Sequence, residues 1–479
     1  MIRLRANYVI MGLLVLAASM RVWRIDAALW YDEAFTAWLV TLPFSDMINA
    51  SLGDVHPPGY YMLLWPLAHA LGPDEVVLRL PSLLAGIGLI IVVYSLAQAM
   101  NLSKPATWLA TGITALSPFQ VYYSQEARSY AIFSLVVCLA ALAVVKQQYK
   151  WAIVTSVLAG LLHNLAIVYV ASLWVAALIY HQQPRRLIKP LTGLAAGYGL
   201  IVPWLLYQTN QVTGNYWIPP LTSAGRLVAT LDDLIWFTPN STFVFASGLV
   251  TSLILVVMLY DLRFEIFGLR FLVVMTLLPL LLVTLASVIW QPVLISRVMA
   301  PAAPFLYLWT AETVTRSTHR VKLFAIVGIP TLLLISLAPL WGPAGRAPLD
   351  EQMIDLYDMY QPGDRLYHAN VGSYVVWHYY RPDIPQYLWP QDTNLDATLS
   401  SSTRTAMDMN EIDFSNIVCA APRWWLIQFD NPTTTPSEMG YINNLIDKYN
   451  GRKIAVLRED VTTAGYLILL APDCGITDG

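Results

Sequence analysis

Apolar positions in this chain gather into runs of near-spanning length at 7–23, 80–100, 105–120, 129–145, 150–162, 164–181, 190–207, 242–260, 271–290, 298–315 and 321–341. A run of roughly 20 apolar residues crosses a bilayer as a helix. The pattern therefore predicts about eleven transmembrane helices, of which 150–162 is the weakest because it is short and abuts the next. The first run follows Arg3 and Arg5, and Ala17-Ala18-Ser19 resembles a cleavage region. With the rest of the chain itself membrane-embedded, that run reads as a retained anchor instead of a signal peptide.

Two further segments, Tyr31 to Val40 and Tyr60 to Leu71, are amphipathic or apolar but too short to span. They are expected to lie along the interface, in a first outer loop covering about residues 24–79. After Trp341-Gly342-Pro343 the pattern changes to short alternating segments. Arg365 to Ala369, Ile384 to Leu388, Trp424 to Phe429, Lys453 to Leu457 and Tyr466 to Leu470 read as strands, and Leu349 to Tyr360 and Met439 to Tyr449 as helices. The fold class expected is thus a polytopic α-helical membrane protein over residues 1–341, with a small extracytoplasmic α/β domain over 342–479.

Composition supports the division. The 479 residues are 57% hydrophobic and only 12% charged, which excludes an ordinary soluble enzyme. Seventeen Trp and twenty-six Tyr suit many interfacial belts. A net charge of −3 and no basic block give no sign of a nucleic-acid partner. Of 31 acids, 13 lie in residues 1–341 and 18 in the shorter polar part. Cys138, in an apolar run, reads as an inert packing residue. Cys419 and Cys474 could pair in an extracytoplasmic domain, although spacing alone does not establish a bridge. No CxxC or HExxH metal signature occurs.

Charge also sets orientation. With the N-terminus inside, thirteen Lys and Arg fall at cytoplasmic ends and six arginines (Arg21, Arg24, Arg79, Arg128, Arg226 and Arg297) on the outer side of the membrane part. An odd helix count then puts the C-terminal domain outside. Ten of the 13 acids of the membrane part share that outer face, so the chemistry is expected there. Charges at a membrane boundary are costly unless solvated, paired or used.

The outer-face residues fall into short motifs. Leu29-Trp30-Tyr31-Asp32-Glu33-Ala34 puts two adjacent carboxylates in an aromatic segment, as caps of an interfacial helix or as chemistry. Gly53-Asp54-Val55-His56-Pro57-Pro58-Gly59 is a rigid turn, and Arg79-Leu80-Pro81 opens the second long run, where Arg79 could equally snorkel. In Tyr122-Tyr123-Ser124-Gln125-Glu126-Ala127-Arg128-Ser129-Tyr130, a continuous helix would bring Tyr122, Glu126 and Tyr130 to one face. Glu126 and Arg128 could instead form a local ion pair. His163-Asn164, Trp217, Asp232-Asp233 and Ser296-Arg297 complete the set, with His163 as apt to be a packing histidine as a ligand. Asp232-Asp233 reads first as a helix cap or solvated loop, and Arg21 and Arg24 as interfacial anchors.

In order and sidedness these motifs resemble the GT-C glycosyltransferases over about residues 1–320. The resemblance is to the protein O-mannosyltransferase-like branch and its bacterial relatives, including the lipid A aminoarabinose transferases. His56 stands where the aminoarabinose transferases place a lysine, and there is no MIR-type domain. The resemblance implies inverting transfer of a sugar from a polyprenyl-phosphate carrier to an acceptor hydroxyl of a protein, lipid or glycan, on the extracytoplasmic face of a cell membrane. It implies Asp32 as general base, with Glu33 orienting a helix or a cation. Arg297, Arg79 and Arg128 would neutralise the donor phosphate, with His56 as helper. Glu126 would bind sugar, acceptor or a metal, and Tyr122, Tyr130, Trp217 and His163 would line the sugar or acceptor. Some GT-C enzymes use a divalent cation, for which Asp32, Glu33, Glu126 and His163 are the candidate ligands.

Three other readings compete. A transporter or flippase of lipid-linked sugars also carries charges in its membrane part, but here they crowd one face and no inverted repeat is evident. A membrane-anchored scaffold or sensor would put the function in the polar domain, which lacks a phosphate loop, nucleophile elbow or metal signature. A ligase of preassembled glycans is a variant of the enzyme reading.

Overall fold

The computed structural model describes residues 2–54, 56–181, 184–209, 218, 220–221, 223, 225–236, 267–341, 356, 358–390, 399–430, 436–449, 452–460 and 463–470. The expected helix at 242–260, Trp217, Cys474 and most of the expected helix from Leu349 lie outside these residues, as does the boundary stretch 342–350.

The apolar runs become helices: α1 (Ile2–Val22), α5 (Glu75–Ala99), α8 (Tyr130–Val145), α9 (Tyr149–Leu162), α10 (Ala166–His181) and α11 (Pro184–Thr209), then Phe267–Ile289, Ala303–Arg316 and His319–Trp341. Among the described residues, two helices are long and apolar enough to cross a bilayer by themselves, Glu75–Ala99 and 268–289. The run at 105–120 is broken. Pro118 cannot continue a helix donor ladder, so α6 (Lys104–Leu116) stops and α7 (Pro118–Ser124) restarts, with Ser117 Oγ capping Gln120 N at 3.4 Å. Before the last two helices a 3₁₀ turn, Ser296–Ala302, carries Arg297.

Between α1 and α5 lie three short helices, α2 (Tyr31–Thr41), α3 (Phe44–Leu52) and α4 (Gly59–Leu71). Pro43 separates the first two, and the Pro57-Pro58 turn precedes the third. At Gly59 the chain passes so close to the Leu161 carbonyl that a side chain would collide with it. α12 (Gly225–Ile235) lies against the 3₁₀ turn through Ser296 and Asp233.

Arg21 is not the interfacial anchor expected. It is fully buried and donates to the carbonyls of Ala17, Thr114 and Ala115 and to Ser124 Oγ, at 2.9–3.3 Å. The Thr114 and Ala115 carbonyls end α6, where the helix dipole is negative and favours a cation.

The C-terminal part is a five-stranded mixed sheet in the order β2-β1-β3-β5-β4. Its strands are β1 (Arg365–His368), β2 (Gln386–Leu388), β3 (Trp424–Asp430), β4 (Arg452–Asp460) and β5 (Thr463–Leu470). β1 pairs in parallel with β2 and β3, and the remaining pairs are antiparallel. Both faces are buried: Tyr367, Trp424 and Leu426 enter one apolar cluster, while Leu366, Trp425 and Ile427 enter another. Cys419 is disulfide-bonded and Cys138 is free and buried. Between β1 and β2 runs a helix not expected from the sequence, Val371–Tyr380, capped by Asn370, whose side chain accepts from Ser373 N at 3.0 Å. It packs on α2, and its Tyr374, Val375 and Val376 join the core of the helical part.

Candidate active site

The site is built on a buried ion pair. Arg79, at the second turn of α5, is fully buried and clasps Glu33 of α2 with two parallel bonds, Nε to Oε1 at 2.8 Å and Nη2 to Oε2 at 2.6 Å. Its remaining donors go to the carbonyls of Ile25 (2.7 Å), Ala27 and Ala28 (3.2 Å). Glu33 Oε1 also accepts the Ala127 N–H at 2.7 Å. One desolvated pair thus joins the segment before α2, α2 itself, α5 and the turn before Tyr130. With every donor engaged inside the protein, this geometry gives Arg79 a structural place instead of the phosphate-binding one expected.

Asp32 is one residue earlier, about 100° away around the helix, and faces the other way. Its Oδ2 accepts from Arg297 Nη1 at 2.8 Å, and both side chains keep some access to solvent, 14% and 17%. Burial pushes the Asp32 carboxyl up, but Arg128, Arg297 and His56 outweigh burial and hold it below its ordinary value. Arg297 also lies near the faces of Trp30 and Tyr130, at 5.7 and 5.8 Å.

Arg128 reaches in from the turn between α7 and α8. Nη1 donates to the Asp32 carbonyl and to Thr36 Oγ1, both at 3.3 Å. Nη2 lies 3.0 and 3.2 Å from the two ring nitrogens of His56. An atom so close to both nitrogens sits over the face of the imidazole, so this is a stacked contact. Burial and then Arg128 lower the His56 pKa, and Asp54, 3.7 Å away, opposes them. Asp54 accepts the Tyr61 hydroxyl at 2.7 Å. His163 packs edge-on to His56 at 5.5 Å and parallel to Phe133 at 5.2 Å. Its Nδ1 accepts the Leu165 N–H, and burial holds it neutral, with a pKa well below the usual range.

The expected continuous helix from Tyr122 to Tyr130 does not form. α7 ends at Ser124, residues 125–129 turn, and α8 begins at Tyr130. Tyr122 therefore does not share a helical face with Glu126 and Tyr130, and it packs edge-on to Tyr123 at 5.2 Å. Glu126 and Arg128 are joined by a backbone bond, Arg128 N to Glu126 O at 2.8 Å, and not by a side-chain ion pair. Glu126 is buried, and its Oε2 has no hydrogen-bond partner among the described residues. Burial, then Glu33, push its carboxyl up to about 8, so it is mainly a neutral acid at pH 7.

Among the described residues no group of three or more His, Cys, Asp or Glu could hold an ion, and the guanidinium groups of Arg128 and Arg297 bring the positive charge to Asp32 instead. Three contributors were not singled out from the sequence as site residues. Thr36 follows Asp32 by one helical turn, Asp54 precedes His56 by two residues, and Trp30 flanks Arg297. Only the Asp54–His56 proximity carried a sequence signal.

Three short helices between α1 and α5, a broken α6–α7 connection, an arginine-bearing 3₁₀ turn and a small α/β part together form a fold shared with a solved structure. The chain superposes on the crystal structure of ArnT from Cupriavidus metallidurans in the apo state with a TM-score of 0.63. That match covers 97% of this chain and 98% of ArnT at 13% identity. The same protein bound to undecaprenyl phosphate matches at 0.59 and 12% identity, over 96% and 97% of the two chains. The likeness is one of fold. No family model matches the sequence, nor does any curated protein.

Removing one partner of a buried pair leaves the other charge unsatisfied, a loss of about 3–5 kcal/mol. Arg79→Ala and Glu33→Ala are each expected to lower the melting temperature sharply in detergent. Arg79→Lys is not expected to restore it, because lysine lacks the bidentate fork. A normal melt for Arg79→Ala would contradict the structural place given to this pair.

Glu126 generates a pH test. Its folded pKa lies above its unfolded value, so ionisation disfavours the fold. That penalty is absent below pH 4.5, grows as pH rises toward about 8 and then levels off. Glu126→Gln cannot ionise, so its melting temperature is expected to exceed that of wild type increasingly over this range. A constant difference from pH 5 to 9 would refute the neutral-acid reading.

Proposed function

We propose that this protein is an integral-membrane, inverting glycosyltransferase that moves a sugar from a polyprenyl phosphate to an acceptor hydroxyl. In this reading eleven helices span the membrane, the N-terminus is cytoplasmic and the sheet-bearing part is outside. The observation that carries it is a partly accessible carboxylate, Asp32, held between two arginines. Further support is the full-length likeness to ArnT, which has been seen with undecaprenyl phosphate bound.

The chemistry follows from charge balance. With Glu126, His56 and His163 neutral, Arg128 and Arg297 are matched by Asp32 and Asp54. A donor phosphate would compete with Asp32 for the guanidinium groups, Arg297 first because its side chain is partly exposed. Losing that partner raises the Asp32 pKa and makes it a better base, so donor binding would arm the carboxylate. Asp32 then takes the acceptor proton as the hydroxyl oxygen forms its bond to the anomeric carbon. The bond from that carbon to the phosphate oxygen breaks with its electron pair on the phosphate, where the arginines neutralise the charge. The neutral Glu126 offers a proton to a sugar or acceptor hydroxyl, and Tyr130 and Trp30 flank Arg297 on the apolar side. No step here requires an ion.

Transfer from radiolabelled polyprenyl-phosphate sugars in membranes tests this. Asp32→Asn is expected to lose roughly 10²–10⁴-fold in rate and Arg297→Ala on the order of 10²–10³-fold, with chelator leaving wild type unchanged. Normal transfer by Asp32→Asn would overturn the base assignment. Loss of wild-type transfer in chelator, restored by a divalent cation, would overturn the metal-free mechanism. Movement of these lipids across the bilayer without transfer would make the protein a flippase.

A further inference from the structure

Helix α2 is held from two sides. Its Asp32 end faces Arg128 and Arg297. Trp38, six residues on and roughly 120° around the helix, faces the C-terminal part. The His378 ring stacks on Trp38 at 3.9 Å with 20° between planes, and Tyr374 lies 6.0 Å away. At the end of the Val371–Tyr380 helix, which carries His378 and Tyr374, the Tyr380 hydroxyl accepts the Leu29 N–H at 2.7 Å and donates to Glu75 Oε1 at 2.8 Å. The Tyr379 hydroxyl donates to the Pro73 carbonyl at 2.7 Å. A second contact lies at α3, where Thr403 Oγ1 donates to the Ala50 carbonyl at 3.0 Å.

The position of the Tyr380 tie is informative. Leu29 directly follows Ala27 and Ala28, whose carbonyls Arg79 engages, and Glu75 precedes Arg79 by one helical turn. Tyr380 therefore bridges, from the C-terminal part, the same two segments that Arg79 and Glu33 join from within. Leu29 leads through Trp30, which flanks Arg297, into Asp32.

We propose that Tyr380 is a positioning residue for transfer: by tying the Leu29 backbone to Glu75 it holds the start of α2, and so Asp32, in place against Arg128 and Arg297. The C-terminal part thus acts on the chemistry through α2, without touching substrate. This inference rests on the transfer reading above.

Tyr380→Phe keeps the ring and removes both hydrogen bonds. In the purified full-length protein it is expected to lower kcat about tenfold or more, as misplaced catalytic groups do, with KM for the lipid donor little changed. Glu75→Leu, which removes the far end of the tie and leaves Tyr380 in place, is expected to shift kcat the same way. Tyr387→Phe, on the sheet away from α2, should leave kcat unchanged. A wild-type kcat in both Tyr380→Phe and Glu75→Leu would overturn the proposal, as would a loss confined to KM for the acceptor. Hydrogen exchange gives a readout independent of activity. Amides of 25–33 should exchange faster in Tyr380→Phe, and unchanged protection would overturn the tie. Faster exchange in a protein whose wild type transfers no tested sugar would leave the tie standing and refute the transfer reading alone.

Discussion

A guanidinium and a carboxylate that have both lost water must find every partner inside the protein, and Arg79 with Glu33 meets that demand in one place. The pair uses carbonyls of three residues before α2 and the amide of Ala127 in the turn before α8, so it cannot form unless those segments have met. Its energetic value lies less in attraction than in the cost of any arrangement that leaves one charge bare. Neighbouring positions on α2 diverge by about 100°, so with Glu33 fixed toward Arg79 its neighbour Asp32 points elsewhere, toward Arg297.

Around Asp32 the charges are arranged to cancel. Two arginines meet two aspartates, and the third carboxyl, on Glu126, is kept neutral by burial and by its acidic neighbour. In a site shielded from water, Coulomb interactions fall off slowly, and an incoming anion redistributes all of them. Because a handful of residues sets this balance while hundreds of apolar contacts set the helices, the fold can match ArnT over nearly its whole length at 13% identity.

Apolar runs specified the helices from composition alone, because a bilayer-scale helix satisfies its own backbone and needs only enough carbon on its surface. Two local breaks changed the outcome. Pro118 splits one run, and the turn at residues 125–129 replaces the continuous helix that would have aligned Tyr122 with Tyr130. The strands of the C-terminal part were legible from their alternation, which separates Trp424 from Trp425 onto opposite faces. Its docking helix was not. Val371–Tyr380 is rich in β-branched and aromatic residues that favour strands, and only the Asn370 cap and its burial against α2 make it helical.

The sequence by itself determined which residues of the membrane part carry charge and which segments are helical, because those properties depend on residue type and local spacing. It marked Asp32, Glu126, Arg128, His56 and Arg297 as one constellation. Only the tertiary structure decided which charge pairs with which: Arg79 turned inward to Glu33, Arg297 to Asp32, Arg128 over His56, and Arg21 into the end of α6. Partner choice is set by distance and by desolvation, and neither exists until segments as far apart as residues 32 and 297 are packed together.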